Sequence, residues 1–173
     1  MRKKIFSHAV IILLTVILFG CAGQASLTSA KTVKDGTKLL YGKISRMQLF
    51  FDYPDWQVEY ENYMPDPEIL RKLQETDYDE IIVFLGTWCP DSQREIPRFF
   101  RILDQSGKYD KEKIKIWAVD RSKKLADNLT DTYDIFFVPT IIFFKRDREL
   151  GRIIEQPEIS IEGDMQQILS GSE

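Results

Sequence analysis

The chain has 173 residues, 24 lysines and arginines against 27 acids, and a net charge of −3. Apolar residues make up 43% of it, enough for a core in one domain with a targeting segment ahead of it. The acidic balance argues against a nucleic-acid partner, because phosphate contact requires a basic face.

In chain order, Arg2, Lys3 and Lys4 precede an apolar run from Ala9 to Phe19. Eleven residues suit the apolar centre of an export signal and fall short of the roughly 20 that a membrane-spanning helix needs. The run closes on Leu18-Phe19-Gly20-Cys21, which resembles a bacterial lipoprotein box, although Phe19 is larger than the residue usual at its position. The resemblance implies a signal peptide over residues 1–20 and lipidation of Cys21. The protein would then be anchored by a lipid on the periplasmic side of the bacterial cell envelope. Ala22 after the cysteine points to the outer rather than the inner membrane. Loss of Arg2, Lys3 and Lys4 with the signal takes the net charge from −3 to −6. His8, the single histidine, is lost as well, so histidine catalysis and histidine-ligated zinc are excluded from the mature chain. With Cys21 acylated, Cys89 is the one remaining thiol, which leaves no intrachain disulfide, no cysteine metal site and no expected cofactor.

Residues 21–37, rich in Ala, Ser, Thr, Lys and Gly, read as a flexible tether. Residues 38–77 read as a mainly helical extension. Leu39-Leu40-Tyr41 suggests a short strand, and Ser45 a cap for a helix through Phe51. Pro54-Asp55 suggests the start of a helix carrying Trp56, Tyr60 and Tyr63. These aromatics either pack the extension onto the domain or line a groove. Asp66-Pro67-Glu68 is a strong helix start, and Ile69, Leu70 and Leu73 form its apolar stripe.

A domain is expected over residues 78–170. Ile81 to Leu85 is a continuous apolar run, as in a strand buried on both faces. Gly86-Thr87-Trp88 breaks it, and a helix is predicted from about Pro90 to Leu103. Strands follow at Ile114–Val119, Thr140–Phe144 and Glu149–Glu155. The last two are joined by the charged turn Lys145-Arg146-Asp147-Arg148. Helices are expected over Ser122–Tyr133 and from Ser160 to near Leu169.

Three marks carry a family resemblance. Trp88-Cys89-Pro90-Asp91-Ser92 stands at a strand-to-helix junction, Pro97 falls inside the following helix, and Tyr133 to Thr140 contains Val138-Pro139. Together they resemble the thioredoxin-like superfamily, in particular bacterial members with a C-x-x-S site. The resemblance implies an α/β fold with a central mixed sheet of about four strands flanked by helices. It also implies a cis Pro139 opposite Cys89, with the Val138 backbone left to pair with an extended substrate peptide. Ser92 replaces the resolving cysteine, and Val83 stands where thioredoxins commonly bury an acid. Without a resolving cysteine, a buried carboxylate there would only incur a desolvation cost.

At the start of a helix, free amide groups and the helix dipole favour a negative charge, so Cys89 is placed to react as a thiolate. Ser92 is expected to hydrogen-bond the sulfur, Trp88 to shield it, and Pro90, Val138 and Pro139 to contact substrate. A lone thiolate can form a mixed disulfide but cannot resolve it. The expected partners are therefore protein or small-molecule thiols and disulfides of the envelope, with an external thiol completing each turnover. The alternative is a redox-inactive peptide-binding or chaperone-like module on the same fold.

Overall fold

The structure, a computed structural model, describes residues 29–32 and 38–171. The expected signal peptide, Cys21 and most of the tether lie outside the described residues. The elements are β1 (Ser29–Thr32), β2 (Lys38–Ile44), α1 (Arg46–Asp52), α2 (Asp55–Asn62), α3 (Pro67–Glu75), β3 (Glu80–Leu85) and α4 (Pro90–Gln105). They continue with β4 (Ile114–Ala118), α5 (Leu129–Thr132), β5 (Thr140–Lys145), β6 (Arg148–Ile154) and α6 (Ile161–Ser170).

One mixed sheet has the order β1-β2-β4-β3-β5-β6. Strands β3 and β4 are parallel, joined through α4, and the remaining pairs are antiparallel. The four expected strands are all present, and β1 and β2 extend the sheet beyond them. Strand β1 corrects the reading of residues 21–37 as tether throughout: Ser29–Thr32 pair with Lys38–Tyr41. Composition hides such a strand, because its hydrogen bonds come from a neighbouring edge rather than from its own side chains.

The alternation of β3 builds a core on each face of the sheet. Ile81, Val83 and Leu85 join Ile96, Phe99, Phe100 and Leu103 of α4 and Met165 and Leu169 of α6. Ile82 and Phe84 face the other way, with Val119, Leu125, Ile135, Val138, Ile142 and Cys89. Val83 is fully buried among apolar neighbours, as its sequence position suggested.

The helix expected over Ser122–Tyr133 is reduced to a 3₁₀ turn at Ala126–Asn128 and the single turn of α5. Ser122 caps no helix; its N–H and hydroxyl both donate to Asp120. Lys123 and Asn128 take positive φ angles of 54° and 53°, which a continuous right-handed helix does not accommodate.

The extension folds as three short helices, and their starts follow the predicted chemistry. The Ser45 hydroxyl accepts from Gln48 N, and the Asp66 carboxylate accepts from the amides of Glu68 and Ile69. Its aromatics pack rather than stand free. Trp56 is buried, and the Tyr60 hydroxyl donates to Asp104 at 2.6 Å. The Tyr63 hydroxyl donates to the buried Glu162 at 2.6 Å. Burial, then the Glu162 carboxylate, pushes Tyr63 up from its ordinary value and keeps it a donor. Arg46 reaches Asp104 with two nitrogens, and its guanidinium lies 4.7–5.6 Å from the ring centroids of Phe50, Tyr60, Phe100 and Tyr109.

This cluster gives stability a pH dependence. Burial acts to raise Asp104, but the hydrogen bonds from Arg46 and Tyr60 outweigh it and hold the carboxyl below its ordinary 3.8. Its contribution is therefore complete above 3.8 and is lost as pH falls toward the lower folded value. Urea unfolding is expected to show this part of the stability being lost as pH falls below about 4. Asp104→Asn should lose about 2 kcal/mol at neutral pH, as for a hydrogen bond to a charged group, together with part of that acid dependence.

Candidate functional site

Strand β3 ends at Leu85, and Gly86-Thr87-Trp88 turns the chain into α4. Glycine is required at this turn because the indole of Trp88 lies against it. A Cβ on Gly86 would stand 2.7 Å from Trp88 Cε2. Trp88 Nε1 donates to the Val119 carbonyl at 2.9 Å, and the Arg121 guanidinium stacks 4.9 Å from the ring centroid. Gln93 Nε2 donates to the Thr87 carbonyl at 3.0 Å, and Thr87 Oγ1 accepts from Leu40 N at 3.4 Å.

Cys89 is the N-cap residue of α4, and Pro90 occupies the first helical position, where its missing N–H costs nothing. Gln93 N makes the first bond back to the Cys89 carbonyl at 3.0 Å. The amides of Asp91 and Ser92 therefore have no partner within the helix and lie in the turn beside the sulfur. Pro97 lies inside α4 and is buried.

The Val138–Pro139 bond is cis, and the Val138 carbonyl lies at the sulfur. The Cys89 thiol donates to that oxygen at 3.1 Å and is 94% buried. The structure thus joins Cys89, Val138 and Pro139 in one place, as the sequence suggested. The Val138 carbonyl accepts the thiol. Attack on a disulfide would require this bond to open and the sulfur to lose its proton.

Ser92 behaves differently from its expected part. Its hydroxyl is fully buried and accepts from Gly86 N at 3.2 Å, which fixes the strand-to-helix turn. The Gly86 N–H is a buried donor and takes the nearest oxygen, so the serine acts on the turn and not on the sulfur. Trp88 packs in the same apolar cluster as Cys89, and Pro90 is exposed at the rim. Asp91 is paired with Arg94 at 2.8 Å and accepts from Gln156 at 3.2 Å, which ties α4 to the segment after β6.

Sequence reasoning did not single out Arg94, Arg121, Gln156 or the buried Glu95. Glu95 pairs with Arg94 Nε at 2.6 Å, while its Oε2 has no partner among the described residues. The hydrogen bonds to Glu95, then to Asp91, hold Arg94 above its ordinary value despite some opposing desolvation. The signal for Arg94 was its spacing of three residues from Asp91 on a helix start; the other partners are distant in sequence. Among the described residues no group of three His, Cys, Asp or Glu side chains is placed to hold a metal ion.

A mixed sheet flanked by helices, with a cysteine at the start of α4 facing a cis proline before β5, is a thioredoxin-like fold. No family model matches the sequence, and no curated protein matches it. Among solved structures, the chain is similar to a protein of unknown function from Pseudomonas aeruginosa, at 15% identity over 75% of this chain and 88% of that one, with a TM-score of 0.47. It is similar to mitochondrial thioredoxin 3 of Saccharomyces cerevisiae in its oxidized form, at 14% identity over 65% and 98%, TM-score 0.38. It is also similar to thioredoxin from Trypanosoma brucei brucei, at 19% identity over 62% and 86%, TM-score 0.33.

The contact between Gly86 and Trp88 is directly testable. Gly86→Ala should displace the indole and cost about 1–3 kcal/mol, the range for overpacking a buried site. A shift in tryptophan emission together with a lower urea midpoint is the expected result.

Proposed function

We propose that the protein is a thiol–disulfide exchange protein of the bacterial envelope, held to the membrane by a lipid on Cys21 and working through the single thiol of Cys89. The observation that carries this reading is the Cys89 thiol at the N-cap of α4, bonded to the carbonyl that precedes cis Pro139. Cys89 is the free cysteine among the described residues. Its thiolate attacks a substrate disulfide, one substrate sulfur bonds to Cys89, and the other leaves as a thiolate and takes up a proton. An external thiol then attacks the mixed disulfide and frees Cys89.

A second reading, peptide binding without redox chemistry, is favoured by one observation. Phe136 and Phe137, just before Val138 in the chain, are 70% and 52% exposed, as a binding surface would be.

Reactivation of scrambled ribonuclease in the presence of a small thiol separates the two. The exchange reading expects activity in the native protein and none in Cys89→Ala. Equal rates for the two proteins would sink it and leave peptide binding. Ser92→Cys should restore a dithiol site, seen as a two-thiol loss on mild oxidation and as turnover that needs less added thiol. For the anchor, radioactive palmitate is expected to label the native chain and not Cys21→Ser.

A further inference from the structure

We propose that the β1–β2 edge of the sheet, with the outer face of α1, rests on an anionic lipid surface, the one to which Cys21 tethers the chain. This rests on the lipid anchor of the reading above and adds an orientation to it. Met47 and Phe51 stand four residues apart on α1, which puts them on one face of the helix. They are 81% and 84% exposed, while Leu49 between them is fully buried in the core. Helix α1 therefore buries one apolar face in the protein and presents a second one outward.

Two observations point to lipid as what covers that outer face. The first is where the preceding chain enters the fold. Strand β1 is the outermost strand, and its first residue, Ser29, pairs with Tyr41 of β2. Seven residues separate Cys21 from Ser29. Even fully extended, they hold a lipid on Cys21 within about 28 Å of this edge. Only Ser45 separates β2 from α1, so Met47 follows directly from the same edge.

The second observation is charge. Residues 21–44, the tether and this edge, carry Lys31, Lys34, Lys38 and Lys43 against the single acid Asp35. The mature chain as a whole is negative, so its positive segment is the one set beside the anchor. Lysines in that place are drawn to anionic headgroups, and a neighbouring Met and Phe enter the headgroup boundary. Asp52, next to Phe51, is exposed and stays in water, which keeps the contact shallow. Two side chains are too little apolar surface for a stable protein interface. They suffice on a surface where a lipid already holds the chain and only its orientation is left to fix.

This orientation bears on the thiol. Strands β2 and β4 lie between the β1 edge and β3, which leads into the Cys89 turn. The cis proline precedes β5, on the far side of β3. With the β1 edge on the lipid, Cys89 and the exposed Phe136 and Phe137 are left to partners in the envelope space.

The test uses the full lipidated chain in vesicles of phosphatidylethanolamine and phosphatidylglycerol with brominated acyl chains, which quench tryptophan only at close range. Phe51→Trp reports on α1. Ile159→Trp is the reference, at a 75% exposed site that follows β6, the strand at the opposite edge. The native chain supplies the background of Trp56, Trp88 and Trp117. Above that background, emission should fall about twofold for Phe51→Trp and stay unchanged for Ile159→Trp. Replacing phosphatidylglycerol with phosphatidylcholine, or adding salt, should restore most of the loss. Equal quenching at the two positions overturns the proposal. So does an unquenched Phe51→Trp chain that still sediments with the vesicles, which leaves α1 to a protein partner. A chain recovered from cells without lipid, and not sedimenting with vesicles, overturns the anchor and this proposal with it.

Discussion

The Arg46 guanidinium, ringed by Phe50, Tyr60, Phe100 and Tyr109 and paired with Asp104, fastens the extension to the C-terminal end of α4. A partly buried charge is tolerated there because two carboxylate oxygens and four ring faces replace the water it loses. The N-terminal end of the same helix is held by different contacts: Ser92 on Gly86 N, Gln93 on the Thr87 carbonyl, and Asp91 with Gln156. Helix α4 is therefore fixed at both ends. The Cys89 sulfur, at its first turn, is placed by contacts that reach back to α1 and forward beyond β6.

That placement bears on what one thiol can do. In a two-cysteine site, the residue at position 92 would take part in the chemistry. Here its oxygen accepts a backbone hydrogen bond, and Val83 beneath the turn is apolar. Neither residue retains a group for moving a proton to or from a second sulfur. The Val138 carbonyl accepts from the Cys89 thiol, and Cys89 caps the first turn of α4.

The parts of this arrangement that were legible in the sequence are those fixed by neighbours along the chain. Asp66-Pro67-Glu68 and Ser45 mark helix starts because a cap acts over three residues, and the apolar run 81–85 marks a buried strand for the same local reason. The meeting of the Cys89 turn with the Val138–Pro139 segment was legible only through family likeness, since Cys89 and Val138 are 49 residues apart. What escaped is what distant partners decide. Strand β1 depends on the edge of β2, and the helix expected at Ser122 gives way to an Asp120 turn and left-handed residues. Ser92 turns to Gly86, a choice that helical spacing alone does not reveal.

The division of the chain at residue 77 marks a change of pattern and not a boundary between independent cores. Glu162 on α6 is buried, and both hydrogen bonds to its carboxylate come from the extension: the Tyr63 hydroxyl and the Asp66 amide. Asp104 on α4 depends likewise on Arg46 and Tyr60. Leu49, Trp56 and Leu73 are buried in the same core as Phe99, Phe100 and Met165. A buried carboxylate deprived of its donors costs far more than an exposed one, so docking of the extension stabilises the buried Glu162. Strand β2 adds backbone pairing to β4 on the same sheet. The extension and the thioredoxin-like part thus share one core and one sheet.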